Sequence, residues 1–225
     1  MTDRRPDDPP TPWQRLLRSC RAGLLAAGGA LLAAGFAGPA AATQDYPELF
    51  GTTEVPSSDL KLFPKWRGAV DRFRGEQSSC AAGQCDSEGW RVFIEEMRGK
   101  DPRRQLADIN RRLNENPYII DPINWGLPDY WATPFQFLRR DGDCEDYAIA
   151  KFMALRALGV PNERLRIVVL QDINLRIAHA ILVVYLDGEA FVLDNQIASV
   201  VPASSIRHYR PVYSINEAGW WLHRS

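Results

Sequence analysis

Apolar residues recur every three or four positions in three segments of the first half of the chain, and Pro and Gly separate these segments. This spacing predicts three helices whose apolar faces pack into a core. Ser58 and Asp59 are expected to open the first helix, and Asp101 with Pro102 supplies the N-cap and first position of the third. The apolar positions are Leu62, Trp66, Val70 and Phe73; Trp90, Phe93, Ile94 and Met97; and Leu106, Ile109 and Leu113.

The second half of the chain begins with one more helix and continues with runs rich in β-branched residues. Cys144 opens the helix, which is expected to end at Leu158-Gly159, a sequence typical of helix C-termini. Asp187-Gly188 is a strong signal for a two-residue hairpin loop. Strands are predicted at 165–170, 177–185 and 190–193, with Val212-Tyr213 and Trp220-Trp221 in an edge strand or in packing. This order predicts a helical N-terminal part and a helix that packs on an antiparallel sheet.

Residues 1–42 have the pattern of a signal peptide. Arginines up to position 21 precede an uncharged run at 22–38, and Ala40-Ala41-Ala42 matches a signal-peptidase site. We expect cleavage after Ala42 and export of residues 43–225 as a single domain. The alternative is a retained membrane anchor, although the many Gly and Ala residues make the run a poor bilayer span, which needs ~20 strongly apolar residues.

The predicted mature part is slightly acidic. The whole chain has a net charge of −1, and its first 42 residues hold five basic and three acidic side chains, which leaves −3 for residues 43–225. This part carries neither a basic stripe nor a second long apolar run. We therefore expect neither nucleic-acid binding nor a membrane span after signal removal.

The cysteines divide into a close pair and an odd thiol in the predicted mature chain. Cys80 and Cys85 lie in a polar, Gly-containing segment, where a short disulfide is plausible in an exported protein. A metal-binding pair is the alternative. Cys144 is then a lone reduced thiol in an oxidising compartment, which requires either burial or a chemical role.

The predicted hairpin brings His179 and Asp194 near each other. With a two-residue loop, Ile181 lies opposite Asp194, and His179 lies opposite Gln196. Alternation along each strand then places His179 and Asp194 on the same face, diagonal to each other.

The Cys144 thiol is expected to lie at a helix N-terminus, with Asp143 as the N-cap, and unpaired amides there lower a thiol pKa. A nucleophile, a base and a residue that orients the base are the parts of a cysteine hydrolase site. We therefore predict Cys144, His179 and Asp194 as a catalytic triad. The alternative is a buried His–Asp pair held for structure beside a buried, unreactive Cys.

Segments along nearly the whole predicted mature chain resemble the bacterial transglutaminase-like cysteine proteinases, most of all the LapG-type periplasmic adhesin proteases. The segments are LFGT at 49–52, LFPKW at 62–66, DYWATP at 129–134, GDCEDYAIAK at 142–151, AH at 178–179, VLDN at 192–195 and PVYS at 211–214. The resemblance implies an α+β domain with a papain-like, transglutaminase-like fold, thiol endopeptidase activity and a location in the periplasm.

The resemblance also implies partners. Proteins of this type clip the N-terminal region of a giant secreted adhesin at a small-residue site with paired alanines, which releases the adhesin and disperses biofilm. An inner-membrane cyclic-di-GMP receptor sequesters the protease through its periplasmic domain. We accordingly expect a large surface adhesin as the substrate and such a receptor as the inhibitor.

Calcium binding beside the nucleophile is a further implication, and the residues give it a physical reason. Asp143, Glu145 and Asp146 surround a thiol that must ionise, and like charges raise a thiol pKa. Bound Ca²⁺ would cancel much of that field. The alternative is that these acidic residues cap the first turn of the helix.

Two other functions fit the same residues. Transglutaminases share this triad and transfer the acyl group to an amine instead of to water. A calcium-dependent binding module with a vestigial triad would not be an enzyme, and its Cys144 would not react with a thiol-directed peptide inhibitor.

Overall fold

A computed structural model describes residues 46–82 and 88–224 of the chain. The predicted signal peptide at 1–42 and Cys85 lie outside the described residues, so the expectations for them stay predictions. Cys80 is disulfide-bonded, and Cys144 is a free cysteine. Within the described ranges, no helix combines the length and the apolar character that crossing a membrane requires.

The described part of the chain has six helices, and all but the fourth contribute side chains to an apolar cluster shared with one face of the sheet. They are α1 (Pro64–Ala81), α2 (Glu88–Met97), α3 (Pro102–Leu113), α4 (Asp121–Asn124), α5 (Pro134–Arg140) and α6 (Cys144–Ala157). The predicted N-cap of α3 is confirmed, because Asp101 Oδ1 accepts the backbone N–H groups of Arg103 and Arg104 at 3.0 and 3.3 Å. The predicted end of α6 at Leu158 is also confirmed.

The predicted start of the first helix at Ser58 and Asp59 is wrong. Asp59 instead caps a separate 3₁₀ turn, Leu60–Leu62, by accepting the backbone N–H of Lys61 at 3.0 Å. Helix α1 begins at Pro64. Proline lacks a backbone donor and fits the first turn of a helix but not its interior, so it separates the two elements.

The sheet of the described residues has seven strands, and each neighbouring pair is antiparallel. The strands are β1 (Thr53–Ser57), β2 (Leu165–Asp172), β3 (Ile177–Leu186), β4 (Glu189–Leu193), β5 (Val201–Pro202), β6 (Tyr209–Ile215) and β7 (Trp220–Arg224), in the order β1-β7-β6-β2-β3-β4-β5. Of the two expectations for Val212-Tyr213 and Trp220-Trp221, the edge strand is wrong, because β6 and β7 are interior. The expected packing is confirmed, because Tyr213 and Trp220 pack against the apolar core. Strand β1, whose sequence has no clear alternation, pairs with β7 and forms the edge instead.

The hairpin between β3 and β4 has the predicted register. Leu186 lies opposite Glu189, and Leu182 lies opposite Leu193. The loop residues Asp187 and Gly188 have φ angles of 53° and 78°. A two-residue loop with two positive φ angles matches the twist of the flanking strands, which explains why this dipeptide predicts the register correctly.

Two apolar clusters cover the two faces of the sheet. Leu182 and Val184 of β3 belong to the cluster that contains the buried face of α6. Ile181 and Val183 belong to the second cluster, on the other face. Strand β4 ends at Leu193 and pairs with the second half of β3. The first half of β3 therefore extends past the end of β4. The candidate site lies at this part of β3, which has no partner residues in β4.

Candidate active site

The Cys144 thiol lies at the N-terminus of α6, with Asp143 as the preceding cap residue. The partly buried sulfur accepts a hydrogen bond from the backbone N–H of Ala180. The thiol also donates to Glu145 Oε2 at 3.2 Å. These contacts place the sulfur against β3, beside the residue that follows His179.

The side chains of His179 and Asp194 are buried and directly hydrogen-bonded, with 2.8 Å between His179 Nε2 and Asp194 Oδ1. The backbone N–H of Gln196 donates to the same oxygen at 2.8 Å, and Tyr209 Oη–H donates to Asp194 Oδ2 at 2.6 Å. Asn114 Nδ2 donates to the Asp194 backbone carbonyl at 2.7 Å. Four donors therefore hold Asp194 in place.

The same hydrogen bonds determine the ionisation of Asp194. Burial alone would raise its pKa, but the hydrogen bond and the charge of His179, together with the donors from Gln196 and Tyr209, lower the pKa below its usual range. An ionised Asp194 can only accept a hydrogen bond, so His179 Nε2 carries the proton and donates it to Asp194 Oδ1. In the neutral ring, His179 Nδ1 is consequently the acceptor, and the Gln196 side-chain amide lies 3.5 Å from it.

The predicted shared face of His179 and Asp194 agrees with the register, but this face is not the one that packs on α6. It is continuous with Ile181 and with Tyr209 of the second cluster. The Cys144 sulfur contacts β3 beyond the end of β4, at the backbone N–H of Ala180, the residue that follows His179. The alternation of side chains along a strand does not predict this contact.

Five carboxylates gather beside the thiol, and three of them were expected from the sequence pattern. Asp121, Asp143 and Asp146 have carboxylate oxygens within 4.8 Å of one another, and so do Asp121, Asp129 and Glu145. Asp121 and Asp129 come from the Pro-rich segment before α5, which no sequence spacing connects to the helix. The only available signal was that Asp129 begins the DYWATP segment.

Several oxygens of this cluster have no compensating donor. Among the described residues, Asp121 Oδ1, Asp129 Oδ1 and Asp143 Oδ1 are buried and have no hydrogen-bond partner. Such groups are costly unless an unrepresented donor or cation satisfies them. Lys65 forms an ion pair with the other oxygen of Asp129.

The pKa values report the same excess of negative charge. Burial, with the charges of Asp143 and Asp129, raises the pKa of Asp121 to about 6. Burial is also the largest cause that raises the pKa values of Asp143, Glu145 and Asp146.

Burial, Glu145 and Asp143 raise the pKa of the Cys144 thiol well above its usual value. A donor set made only of oxygens suits a hard divalent cation, and the charge of such a cation would lower these raised pKa values.

Gly142 allows the carboxylate of Asp146 to approach the loop. A Cβ atom at Gly142 would overlap the Asp146 side chain. Asp146 uses this position to accept the backbone N–H of Asp143 at 3.4 Å through Oδ2 and that of Ala132 at 2.7 Å through Oδ1. Asp146 thus ties the nucleophile's turn to the segment that carries Asp129.

Comparisons with known proteins identify the family of this chain. The family model described as bacterial transglutaminase-like cysteine proteinase matches residues 76–223. Calcium-bound LapG from Legionella pneumophila matches with a TM-score of 0.57 and 33% identity, over 65% of this chain and 86% of that chain. EGTA-treated LapG from the same organism matches with a TM-score of 0.57 and 33% identity, over 67% of this chain and 86% of that chain. A comparison with curated proteins found no match.

These matches confirm the predicted family, the mixed fold of helices and antiparallel sheet, and the predicted class of enzyme. The family model covers well over half of the chain and includes Cys144, His179 and Asp194. The chain belongs to the bacterial transglutaminase-like cysteine proteinases, and it is a cysteine peptidase similar to LapG.

Proposed function

We propose that the protein is a calcium-dependent periplasmic endopeptidase that uses Cys144, His179 and Asp194 to cleave the N-terminal region of a large surface adhesin. The observation that carries this proposal is the buried His179–Asp194 hydrogen bond, with the Cys144 sulfur bonded to the backbone N–H of the next residue, Ala180. The similarity to Legionella pneumophila LapG supports it.

In the proposed mechanism, His179 Nδ1 takes the thiol proton while Cys144 Sγ attacks the peptide carbonyl carbon. Nδ1 is the base because Nε2 is bonded to Asp194. The imidazolium then gives its proton to the leaving amine as the C–N bond breaks, which leaves a thioester on Cys144. Water hydrolyses the thioester with His179 again as the base, and Asp194 keeps the ring in the required tautomer throughout.

The developing oxyanion needs hydrogen-bond donors at the nucleophile. The backbone N–H of Cys144 lies at the N-terminus of α6, where amides lack a helical partner. We assign this amide as one donor of the oxyanion hole.

The five carboxylates are proposed as the calcium ligands. They are Asp121, Asp129, Asp143, Glu145 and Asp146. When bound, calcium would supply the positive charge that offsets these groups and favours the Cys144 thiolate. The unpartnered oxygens of Asp121, Asp129 and Asp143 support this assignment, as do the calcium-bound and EGTA-treated structures of the related LapG.

The cellular setting belongs to the same proposal. Removal of residues 1–42 would release the enzyme into the periplasm, where it meets the adhesin. An inner-membrane cyclic-di-GMP receptor would restrain it there. The resemblance of the chain to LapG-type proteases supports both partners.

The test uses the exported form of the protein, residues 43–225, and the N-terminal fragment of a large adhesin secreted by the same organism. We expect cleavage at one site with calcium, no cleavage with EGTA, and none by Cys144→Ala or His179→Ala. Circular dichroism would establish that both variants fold. Cleavage at the wild-type rate by either variant contradicts the triad, and incorporation of an added amine without hydrolysis would indicate acyl transfer instead.

A further inference from the structure

Tyr209, the first residue of β6, contacts two members of the proposed triad. Its hydroxyl donates to Asp194 Oδ2 at 2.6 Å. Its ring lies edge-on to the ring of His179, with 6.0 Å between centroids and an interplanar angle of 61°. All three side chains are buried. Asp194 is thus bound through both of its oxygens, one to His179 and one to Tyr209.

A short N-terminal turn also packs on Tyr209. In this 3₁₀ turn, Leu49–Gly51, the ring of Phe50 lies edge-on to Tyr209 at a centroid distance of 5.9 Å. Phe50 has φ 53° and ψ 29°. A bulky side chain in this left-handed region is unfavourable and persists where its surroundings fix it.

Contacts on both sides hold the turn. Leu49 is fully buried in the second cluster. Thr52 Oγ1 donates to the Leu49 carbonyl at 2.8 Å and also lies 2.8 Å from His223 Nδ1. The left-handed backbone of Phe50 lets the chain turn while its ring stays on Tyr209.

We propose that Tyr209 is a positioning residue for the His179–Asp194 pair, and that the turn Leu49–Gly51 holds Tyr209 in place. The inference rests on the proposed function. A carboxylate held through one oxygen can rotate away from its partner, whereas a second donor restricts it to one orientation. The match to the family model begins at residue 76. It therefore includes Tyr209 but not the turn that packs on it.

The first experiment compares Tyr209→Phe with wild-type protein in two assays. One is alkylation of Cys144 by iodoacetamide as a function of pH, and the other is cleavage of the adhesin fragment. We expect kcat to fall about 10-fold or more with KM unchanged, the size typical of losing an outer hydrogen-bond partner. The midpoint of alkylation should move to higher pH, because a misaligned His179 stabilises the thiolate less.

Tyr185→Phe is the matched control. Tyr185 is also a buried phenol of the second cluster, and its hydroxyl has no hydrogen-bond partner among the described residues. We expect this variant to behave as wild type in both assays. If Tyr209→Phe matches Tyr185→Phe in an active protein, the positioning role is overturned and the proposed function stands. A wild type that does not cleave the fragment overturns the proposed function and, with it, the positioning role.

Two substitutions at Phe50 test the turn. Phe50→Gly removes the ring but suits the left-handed backbone, whereas Phe50→Leu keeps apolar bulk without an aromatic edge. We expect both to lower kcat and shift the alkylation midpoint in the direction of Tyr209→Phe. If Phe50→Gly keeps wild-type values in both assays, the turn does not hold Tyr209.

Discussion

His179 Nε2 lies 2.8 Å from Asp194 Oδ1, and the opposite ring nitrogen, Nδ1, faces the exposed side chain of Gln196 at 3.5 Å. The two nitrogens are therefore distinct. Nε2 is bonded to a buried carboxylate, while Nδ1 has only the Gln196 side chain as a neighbour at hydrogen-bond distance. A base that must exchange a proton with both a thiol and a leaving amine needs this arrangement.

Asp194→Asn tests the division between the two nitrogens. An amide that donates its N–H to Nε2 would move the ring proton to Nδ1, and Nδ1 could then no longer accept the thiol proton. We expect the cleavage rate to fall by roughly 10⁴-fold, as the same change does in a Ser-His-Asp triad. The measurement is the initial rate on the adhesin fragment, with thermal unfolding as the check of folding. A rate within tenfold of wild type would contradict the role of Asp194.

Removal of calcium should act on the thiol before it acts on the fold. Burial, Glu145 and Asp143 raise the pKa of Cys144, and a bound cation would oppose the two charges. We expect EGTA to slow iodoacetamide alkylation of Cys144 at pH 7 by roughly tenfold or more, and added calcium to restore the rate. Equal rates in EGTA and in calcium would show that no cation influences this thiol.

Asp129→Asn and Asp121→Asn test the two proposed ligands that the sequence pattern did not reveal. Each should weaken calcium binding, because each removes the charge of a carboxylate whose Oδ1 atom has no hydrogen-bond partner among the described residues. At a calcium concentration 100 times the dissociation constant, wild-type protein should gain about 2.7 kcal/mol of unfolding free energy. Both variants should gain much less at that concentration.

The control for these two variants is Asp71→Asn. Asp71 lies on α1, and its side chain is 71% exposed, so it changes the net charge equally without touching the cluster. Its calcium-induced gain in unfolding free energy should equal that of wild type. Identical gains in all four proteins would contradict the assignment of Asp121 and Asp129 as calcium ligands.

Local chemistry made parts of this site predictable from sequence. Asp187-Gly188 determines a two-residue loop, and the loop determines which residues of β3 and β4 share a face. That is why His179 and Asp194 could be paired from the sequence alone. Likewise, the start of α6 at Cys144 follows from the capping residue that precedes it and the apolar stripe that follows it.

Other parts depend on long-range contacts that no local pattern encodes. Asp121 and Asp129 reach the carboxylates that flank the nucleophile because a Pro-rich segment is hydrogen-bonded to the start of α6. Tyr209 comes from β6, whose interior place in the sheet was not expected. The pairing of β1 with β7 joins residues more than 150 positions apart in sequence, and the burial of His223 depends on it.

His223 gives the protein a stability that depends on pH. Its ring is buried between Thr52 and Ser214, with Nδ1 2.8 Å from Thr52 Oγ1 and Nε2 2.9 Å from Ser214 Oγ. Because Thr52 donates its own proton to the Leu49 carbonyl, Thr52 accepts from His223 Nδ1, and Ser214 donates to Nε2. Burial, followed by the charge of Arg166, lowers the pKa of His223 to about 4.

A histidine with a depressed pKa in the folded state favours the fold in its neutral form. The unfolded chain binds this proton near pH 6.5, so stability is lost as the pH falls from 6.5 toward 4, by up to about 3 kcal/mol. His223→Gln can keep a donor and an acceptor in place but cannot titrate. We expect the difference in unfolding free energy between wild type and His223→Gln, measured by urea denaturation, to shrink or reverse across this window. Asp121, whose pKa is raised to about 6, has the opposite pH dependence in both proteins and cancels in the difference. Parallel curves for the two proteins from pH 7.5 to 4.5 would contradict the assignment.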